Sequence, residues 1–315
     1  NSNFSIMTQQ SSFLKFDGSG NYDHDYQSLS DSITTLPTLR SNIVELVQSI
    51  ESAYETNVPV LVQKVKEDLS LVAHILKVAR ASKYAQMIQV DTINDAIQVL
   101  GVEKIRDIAL AKSFLGNFLN PDPYRNGFDW KAFWKHSNAV GMIASIIAKS
   151  IDKADHERYF TAGLLHDMGK MGAFCLDENS MLLVARISRN HDLSFLQSEL
   201  MCQAPRHDRL GEAICDNWGL PNYIKQVCRY HHTYSKNYRK FSEDDPIHNY
   251  IDIVILANHL AKMLRIGYSG HPTHDEPVGM ILKNLKLEDG HLEKITPTIL
   301  AELGQGSFLD DLLSA

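Results

Sequence analysis

Gly163-Leu164-Leu165-His166-Asp167-Met168-Gly169-Lys170 sets an imidazole and a carboxylate side by side in an apolar, helix-like run. Both groups are good ligands for divalent first-row metals. Neither belongs in a core without a partner, because burying even a neutral polar group unpaired costs roughly 1–3 kcal/mol. The pair therefore either faces a site or is satisfied internally. The dipeptide alone does not choose between these; the histidines on the helical faces around it do.

Upstream, residues 128–151 read as a long helix. His136, Val140, Ile143, Ile147 and Ile151 repeat at helical spacing, so His136 falls on the buried face. A helix over 157–165 leads into His166 and Asp167, and Gly169 ends or kinks it. Downstream, helices are predicted over 181–188 and 193–201. His207, Gly211 and Ile214 then share the face of a helix that Gly219 caps. Pro221 stands near the first position of the next helix. Its buried line is Ile224, Val227 and His231, with Cys228 and His232 one position round. Residues 235–250 read as a polar loop. A last long helix over 251–264 puts Val254, Asn258 and Ala261 on one face, so Asn258 is an amide aimed at a core.

The first third of the chain is also helical in pattern. Ile43, Leu46, Val47 and Ile50 form one apolar face, with Pro37 suited to a first turn. Helices follow over 58–69 (Leu61, Val65, Leu69) and 71–81 (Leu71, Ile75, Leu76, Val78). Thr92, with Asp95 three residues on, predicts an N-cap, and Gly101 a C-cap. Ile105, Ile108 and Ala109 start another face, which Lys112 interrupts and Leu115 resumes. His74 is isolated and reads as structural or exposed. Residues 1–28 read as a polar arm that docks locally through its phenylalanines. The pair of prolines in Asn120-Pro121-Asp122-Pro123-Tyr124 marks a boundary. Beyond residue 265 short helices are expected, with Phe308, Leu309, Leu312 and Leu313 packing back. The predicted organisation is all-α: an arm (1–28), an N-terminal helical subdomain (29–125), a helical subdomain carrying the ligand-type residues (126–265) and a helical extension (266–315).

Composition narrows the function classes. Hydrophobic residues make up 44% and charged residues 22% of the 315, as in a soluble globular chain. A net charge of -7 argues against a nucleic-acid-binding surface as the main activity. No apolar run approaches the roughly 20 residues of a membrane span. The polar start shows no basic region followed by an apolar core, so no secretory leader is read there. The four cysteines lack Cys-x-x-Cys spacing and read as reduced thiols of a bacterial-type cytoplasm.

His136, His166, Asp167, His207, His231, His232 and Asn258 each fall on or beside the apolar face of a predicted helix. One such histidine is ordinarily a satisfied core residue. Independent structural roles for six ionisable groups from several helices are hard to arrange, whereas one or two divalent metal ions satisfy them together. Asp167 would bridge two metals. Adjacent helical residues point about 100° apart, so His231 and His232 would serve different metals, or one would support the other. Bridged pairs about 3.5–4 Å apart activate water and clamp phosphoryl oxygens. Lys170 has two readings: a cation that neutralises a phosphate, or a solvated lysine at a helix end.

These residues carry a resemblance. Leu36-Pro37, the 71–81 stretch, Ile93-x-x-Ala96-x-x-x-Leu100-Gly101, Trp134-x-His136-Ser137, Ala162-Gly163-Leu164-Leu165-His166-Asp167-x-Gly169-Lys170, His207-x-x-x-Gly211, Trp218-Gly219-Leu220-Pro221 and His231-His232 together resemble the HDOD family. That family is a signalling-output relative of the HD-domain phosphohydrolases, and the similarity runs over about residues 30–265. It implies an all-helical bundle and, for many members, a regulatory module acting on a signalling protein partner. The order His136, His166-Asp167, His207, His231-His232, with Lys170, is also similar to the ligand order of the HD-GYP phosphodiesterases. Two features depart from those enzymes. Asn258 stands where an HD domain has its last aspartate, and no Gly-Tyr-Pro follows His231-His232. The resemblance therefore implies an output module with a metal-binding HD-like site holding iron, manganese or zinc. The alternative it implies is a metal-dependent phosphohydrolase acting on a nucleotide or another phosphate ester, with Asp167 and Lys170 as its catalytic groups.

Overall fold

The computed structural model describes residues 14–16, 22–34, 36, 38–39, 58–82, 89–101, 104–105, 108, 118–119, 128–153, 155–270, 278–288 and 290–305. The expected helix through Ile43 and Ile50, the proline-rich boundary at 120–124 and the packing of Phe308 to Leu313 lie outside these residues. Two minimal pairings occur. β1 (Leu14–Phe16) runs antiparallel to β2 (Tyr22–His24), and β3 (Thr38–Leu39) runs parallel to β4 (Phe118–Leu119). Everything else regular among the described residues is helix, and the fold is all-α.

α1 (Tyr26–Asp31) seats the end of the N-terminal arm. It docks through Leu29 and Ile33, both buried, and through the Arg206 N–H donating to the Tyr26 hydroxyl at 3.2 Å. The Trp218 indole N–H donates to Ile33 O at 3.2 Å and the Asn217 amide to Ser30 O at 3.0 Å. The expected docking through the arm's phenylalanines falls on Phe4, Phe13 and Phe16, whose side chains lie outside the described residues.

α2 (Val58–Lys66) and α3 (Leu69–Arg80) are the two helices expected here, with the break between them earlier than periodicity placed it. The break falls at Asp68, whose carboxylate accepts from Leu71 N–H at 2.9 Å and so starts a new helix. α4 (Ile93–Leu100) has the expected Thr92/Asp95 capping box and ends at Gly101, φ 78°. His74 is half-buried on α3.

α5 (Trp130–Ser150) is the central element, capped by Asp129 at Ala132 N–H. Its predicted face is correct: Val140, Ile143 and Ile147 are fully buried and His136 nearly so. α6 (His156–Leu165) crosses α5 at Gly141 and Gly163. A Cβ on Gly163 would stand 2.8 Å from Val140 O, so only glycine permits this approach. α7 (Met168–Leu176), α8 (Glu178–His191), α9 (Phe195–Met201), α10 (His207–Asn217) and α11 (Asn222–Tyr230) complete the bundle with α12 (Ile247–Met263). α12 starts within the stretch expected to be loop, because the Asp245 carboxylate accepts from Ile247 N–H at 2.9 Å. In the C-terminal extension, α13 (Val278–Asn284) packs on α12 and α14 (His291–Gln305) on α5, burying Ile281 and Ile299.

Candidate metal centre

The helix carrying the opening motif does not run through it. α6 stops at His166 and α7 begins at Met168, with Asp167 between them at φ -102°, ψ 13°. Gly169 is not the break. It lies inside α7, where a Cβ would meet His207 O at 1.9 Å, and it lets α7 press against the start of α10. The two helices thereby bring His166-Asp167 and His207 together.

Three imidazoles, those of His166, His207 and His231, are held by Nδ1–H, which fixes where the Nε2 lone pair points. His166 Nδ1 donates to Gly163 O at 2.7 Å. His231, just past the end of α11, donates from Nδ1 to the carbonyls of Val227 (3.1 Å) and Cys228 (2.9 Å), which the helix terminus leaves free. His207 donates from Nδ1 to the Glu199 carboxylate, 2.9 and 2.8 Å from its two oxygens. The same carboxylate accepts the His207 backbone N–H at 3.1 Å, one of the free donors at the start of α10. A carboxylate behind a histidine in this way fixes the tautomer and raises the basicity of the other nitrogen.

The free nitrogens converge. His207 Nε2 is 3.3 Å from His231 Nε2 and 2.9 Å from His232 Nε2. Asp167 Oδ1 is 3.4 Å from both His207 Nε2 and His231 Nε2. Ligand atoms of Asp167, His207, His231 and His232 lie within 4.8 Å of one another, and those of His136, His166 and Asp167 do likewise. Asp167 Oδ1 and His166 Nε2 are buried with no hydrogen-bond partner. With Nδ1 protonated on both His207 and His231, their facing Nε2 atoms cannot bond each other. A buried concentration of lone pairs of this kind fits a cation.

The remaining expected residues join the cluster on different terms. His136 Nε2–H donates to Asn258 Oδ1 at 3.0 Å, so the amide of α12 already has a partner. Lys170 is fully buried, not the solvated lysine of one reading. Its ammonium donates to Asp167 Oδ2 at 2.6 Å and to Ser269 O at 2.9 Å, and lies 4.7 Å from the Phe195 ring centroid.

Electrostatics keep the imidazoles of His136, His231 and His232 neutral. Burial drives His136 down to about 3 and His231 down to about 4, in the latter case against Asp167. Burial, reinforced by the imidazoles of His231 and His207, also carries half-buried His232 well below its ordinary value. Burial pushes the Asp167 carboxyl up, but Lys170 and His166 outweigh it and hold the group well below the usual carboxylate range. Burial lowers Lys170 and raises Glu199, each against its ionic partner.

Sequence reasoning missed Glu199 and Ser269. Glu199 had a signal: with Phe195 and Ser198 it forms the buried face of α9, so a carboxylate sits at an apolar position. Ser269 contributes only its backbone, for which no side-chain pattern exists.

An all-helical bundle with a buried, inward-facing His/Asp cluster at its centre is the class this architecture defines. The HDOD domain model matches residues 36–234, and the chain belongs to the HDOD domain family. It is similar in fold to the MmoQ response regulator of Methylococcus capsulatus str. Bath: 20% identity, 83% of this chain and 97% of that one covered, TM-score 0.65. A virulence factor (cj0248) of Campylobacter jejuni subsp. jejuni matches with 18% identity, 85% and 96% coverage and TM-score 0.57. An uncharacterized protein of Treponema pallidum (strain Nichols) is 21% identical over 206 residues, 65% of this chain and only 39% of that protein's length.

Proposed function

We propose that this chain is a regulatory output module that binds a divalent transition metal in its His/Asp cluster and acts on a signalling protein partner. Iron, manganese or zinc suits the donor set of imidazoles and one carboxylate. The observation that carries the metal reading is the orphaned Asp167 Oδ1, facing His207 and His231 Nε2 atoms whose Nδ1–H groups are already committed elsewhere. Membership of the HDOD family, and a fold shared with a protein named a response regulator, support the output role. The four free cysteines suit a reducing cytoplasm; the Cys215 thiol donates to Cys228 Sγ at 3.9 Å with no disulfide between them. No helix among the described residues is long and apolar enough to cross a membrane.

The second reading is a metal-dependent phosphohydrolase acting on a nucleotide or another phosphate ester. A bound metal would supply Lewis-acid polarisation and an activated water. The near-complete ligand set favours it. Against it stand the neutral Asn258 and the burial of Lys170, whose ammonium is engaged by Asp167 and Ser269 rather than offered to a phosphate.

Elemental analysis of the purified protein, followed by a screen of phosphomonoesters, phosphodiesters and nucleotides, separates the readings. Bound metal without turnover is expected. Bound metal with turnover moves the assignment to the hydrolase, and no metal after incubation with iron, manganese or zinc salts overturns both.

A further inference from the structure

α10 carries His207 at its first position, and a short segment of the N-terminal arm, α1 with Ile33 just beyond it, lies against that helix. The segment precedes residues 36–234, the stretch that matches the family model.

We propose that this segment is a releasable strap linked to the metal centre: metal on His207 tightens the strap, and loss of metal loosens it. This rests on the metal reading above and adds a route by which occupancy of a buried site changes the surface.

Three observations carry it. First, strap and centre grip adjacent residues. The Arg206 N–H donates to the Tyr26 hydroxyl at 3.2 Å, and the next N–H, that of His207, donates to Glu199 at 3.1 Å. Both are donors that a helix start leaves free. Tyr26 and Glu199 together therefore fix the backbone on which the His207 imidazole is mounted. Second, the strap spans the helix. At the far end of α10, the Asn217 amide donates to Ser30 O at 3.0 Å and the Trp218 indole to Ile33 O at 3.2 Å. The 11 residues of α10, roughly 16 Å of helix, are thus tied at both ends to one short segment. Ile33 also reaches α7, the helix that follows Asp167: a Cβ on Gly172 would stand 3.1 Å from Ile33 Cδ1. The strap therefore sits on the seam between the two helices that bring Asp167 and His207 together. Third, the grip is light. Of the six residues of α1 only Leu29 and Ser30 are buried, and Gln27, Ser28 and Asp31 are exposed. The three hydrogen bonds to α10 join neutral groups, which exchange such bonds for water at small net cost. The Ser70 hydroxyl donates to Leu36 O at 2.7 Å and anchors the chain to α3 just past the strap, so release leaves that end attached.

Fixing α10 from either side lowers the ordering cost that the other side must meet. The two events favour each other, and linkage makes the effect equal in both directions.

The test uses the full chain, stripped with chelator and then loaded with zinc, with zinc content read by elemental analysis on the same samples. Hydrogen exchange followed by mass spectrometry reads the strap over residues 26–33. Exchange there should slow about 5-fold or more on loading, while exchange in α4 stays as it was. In the reverse direction, Tyr26→Phe removes only the hydroxyl that accepts from Arg206. It should weaken zinc binding about 5-fold in competition against a coloured chelator. Thr92→Ala, in the capping box of α4, should leave strap exchange and zinc affinity unchanged.

Bound zinc with strap exchange unchanged, or slowed equally in α4, would overturn the strap and leave the metal reading standing. So would a Tyr26→Phe protein that binds zinc as tightly as the unaltered chain. No zinc in the unaltered protein would overturn the metal reading, and the strap with it.

Discussion

Two buried ionic clusters lie in the same half of the molecule and behave in opposite ways. At Arg239, donors and acceptors match. The guanidinium donates to Asp252 at 2.6 Å, twice to Thr233 O at 2.9 and 2.8 Å, and to His248 Nδ1 at 3.3 Å. His248 Nε2–H in turn donates to Ser242 O at 3.0 Å. At Asp167, acceptors exceed donors: one carboxylate oxygen and one imidazole nitrogen are left over in a dry environment. A closed ledger of hydrogen bonds marks a brace, here holding the turn after His231-His232 against α12. An excess of buried lone pairs marks a place for a cation. Both clusters are buried and both pair a carboxylate with a cation, but the Arg239 cluster has a single histidine and its hydrogen bonds are satisfied, whereas those at Asp167 are not.

The sharpest way to break this comparison is to remove the shared ligand. Asp167→Ala should abolish metal retention measured by elemental analysis, and should also cost about 3–5 kcal/mol in urea unfolding, since Lys170 stays buried without its partner. Retained metal would show that the orphan oxygen is not a ligand. Arg239→Met should cost a similar 3–5 kcal/mol by leaving Asp252 buried and unpaired, yet leave metal content unchanged. A loss of metal there would merge the two clusters into one functional unit.

Acid sharpens the contrast further in the metal-free protein. His136 and His231 have folded values of about 3 and about 4, below the unfolded value near 6.5. Between pH 6.5 and 4 the unfolded chain therefore binds more protons, and stability falls as pH falls. Each of the two histidines contributes about 1.4 kcal/mol per pH unit in that window. Urea titrations of chelator-treated protein at pH 7, 6 and 5 check this, and equal stability at all three pH values would contradict it. Bound metal should raise stability at all three pH values and leave this slope in place, because the imidazoles it selects are already neutral in the folded chain.

Smaller effects come from the supports. Glu199→Gln should weaken metal binding about 10- to 100-fold, since it loses the charge that orients His207. Competition against a coloured chelator measures this. Thr92→Ala, in the capping box of α4, should cost about 1 kcal/mol of stability with metal affinity untouched. It serves as a control for general destabilisation.

Much of the site was legible before any coordinates. His136 was readable because its helix repeats apolar residues without interruption, so its face was fixed by period alone. Asn258 was readable for the same reason on α12. His232 came less clearly, one position off the buried line, and it is indeed the half-buried member of the cluster. For Lys170 the sequence left two readings open, and only burial excludes the solvated one, because the chain turns at Asp167 and a helical projection carried across that turn loses its register. Glu199 was overlooked although its position on an apolar face was visible. Its partner lies eight residues on, across a non-helical link whose path no periodicity describes.

The sequence by itself determined the helical class, the inward faces of the long helices and the identity of the donors. These follow from local periodicity and side-chain chemistry, which each residue carries with it. Tertiary structure alone decided which oxygen of Asp167 is free and which is taken by Lys170. It also decided which histidines are braced by carboxylate and which by carbonyl. Those outcomes depend on how closely α7 approaches α10 and where the Ser269 backbone crosses α5, distances set by packing between segments far apart in the chain.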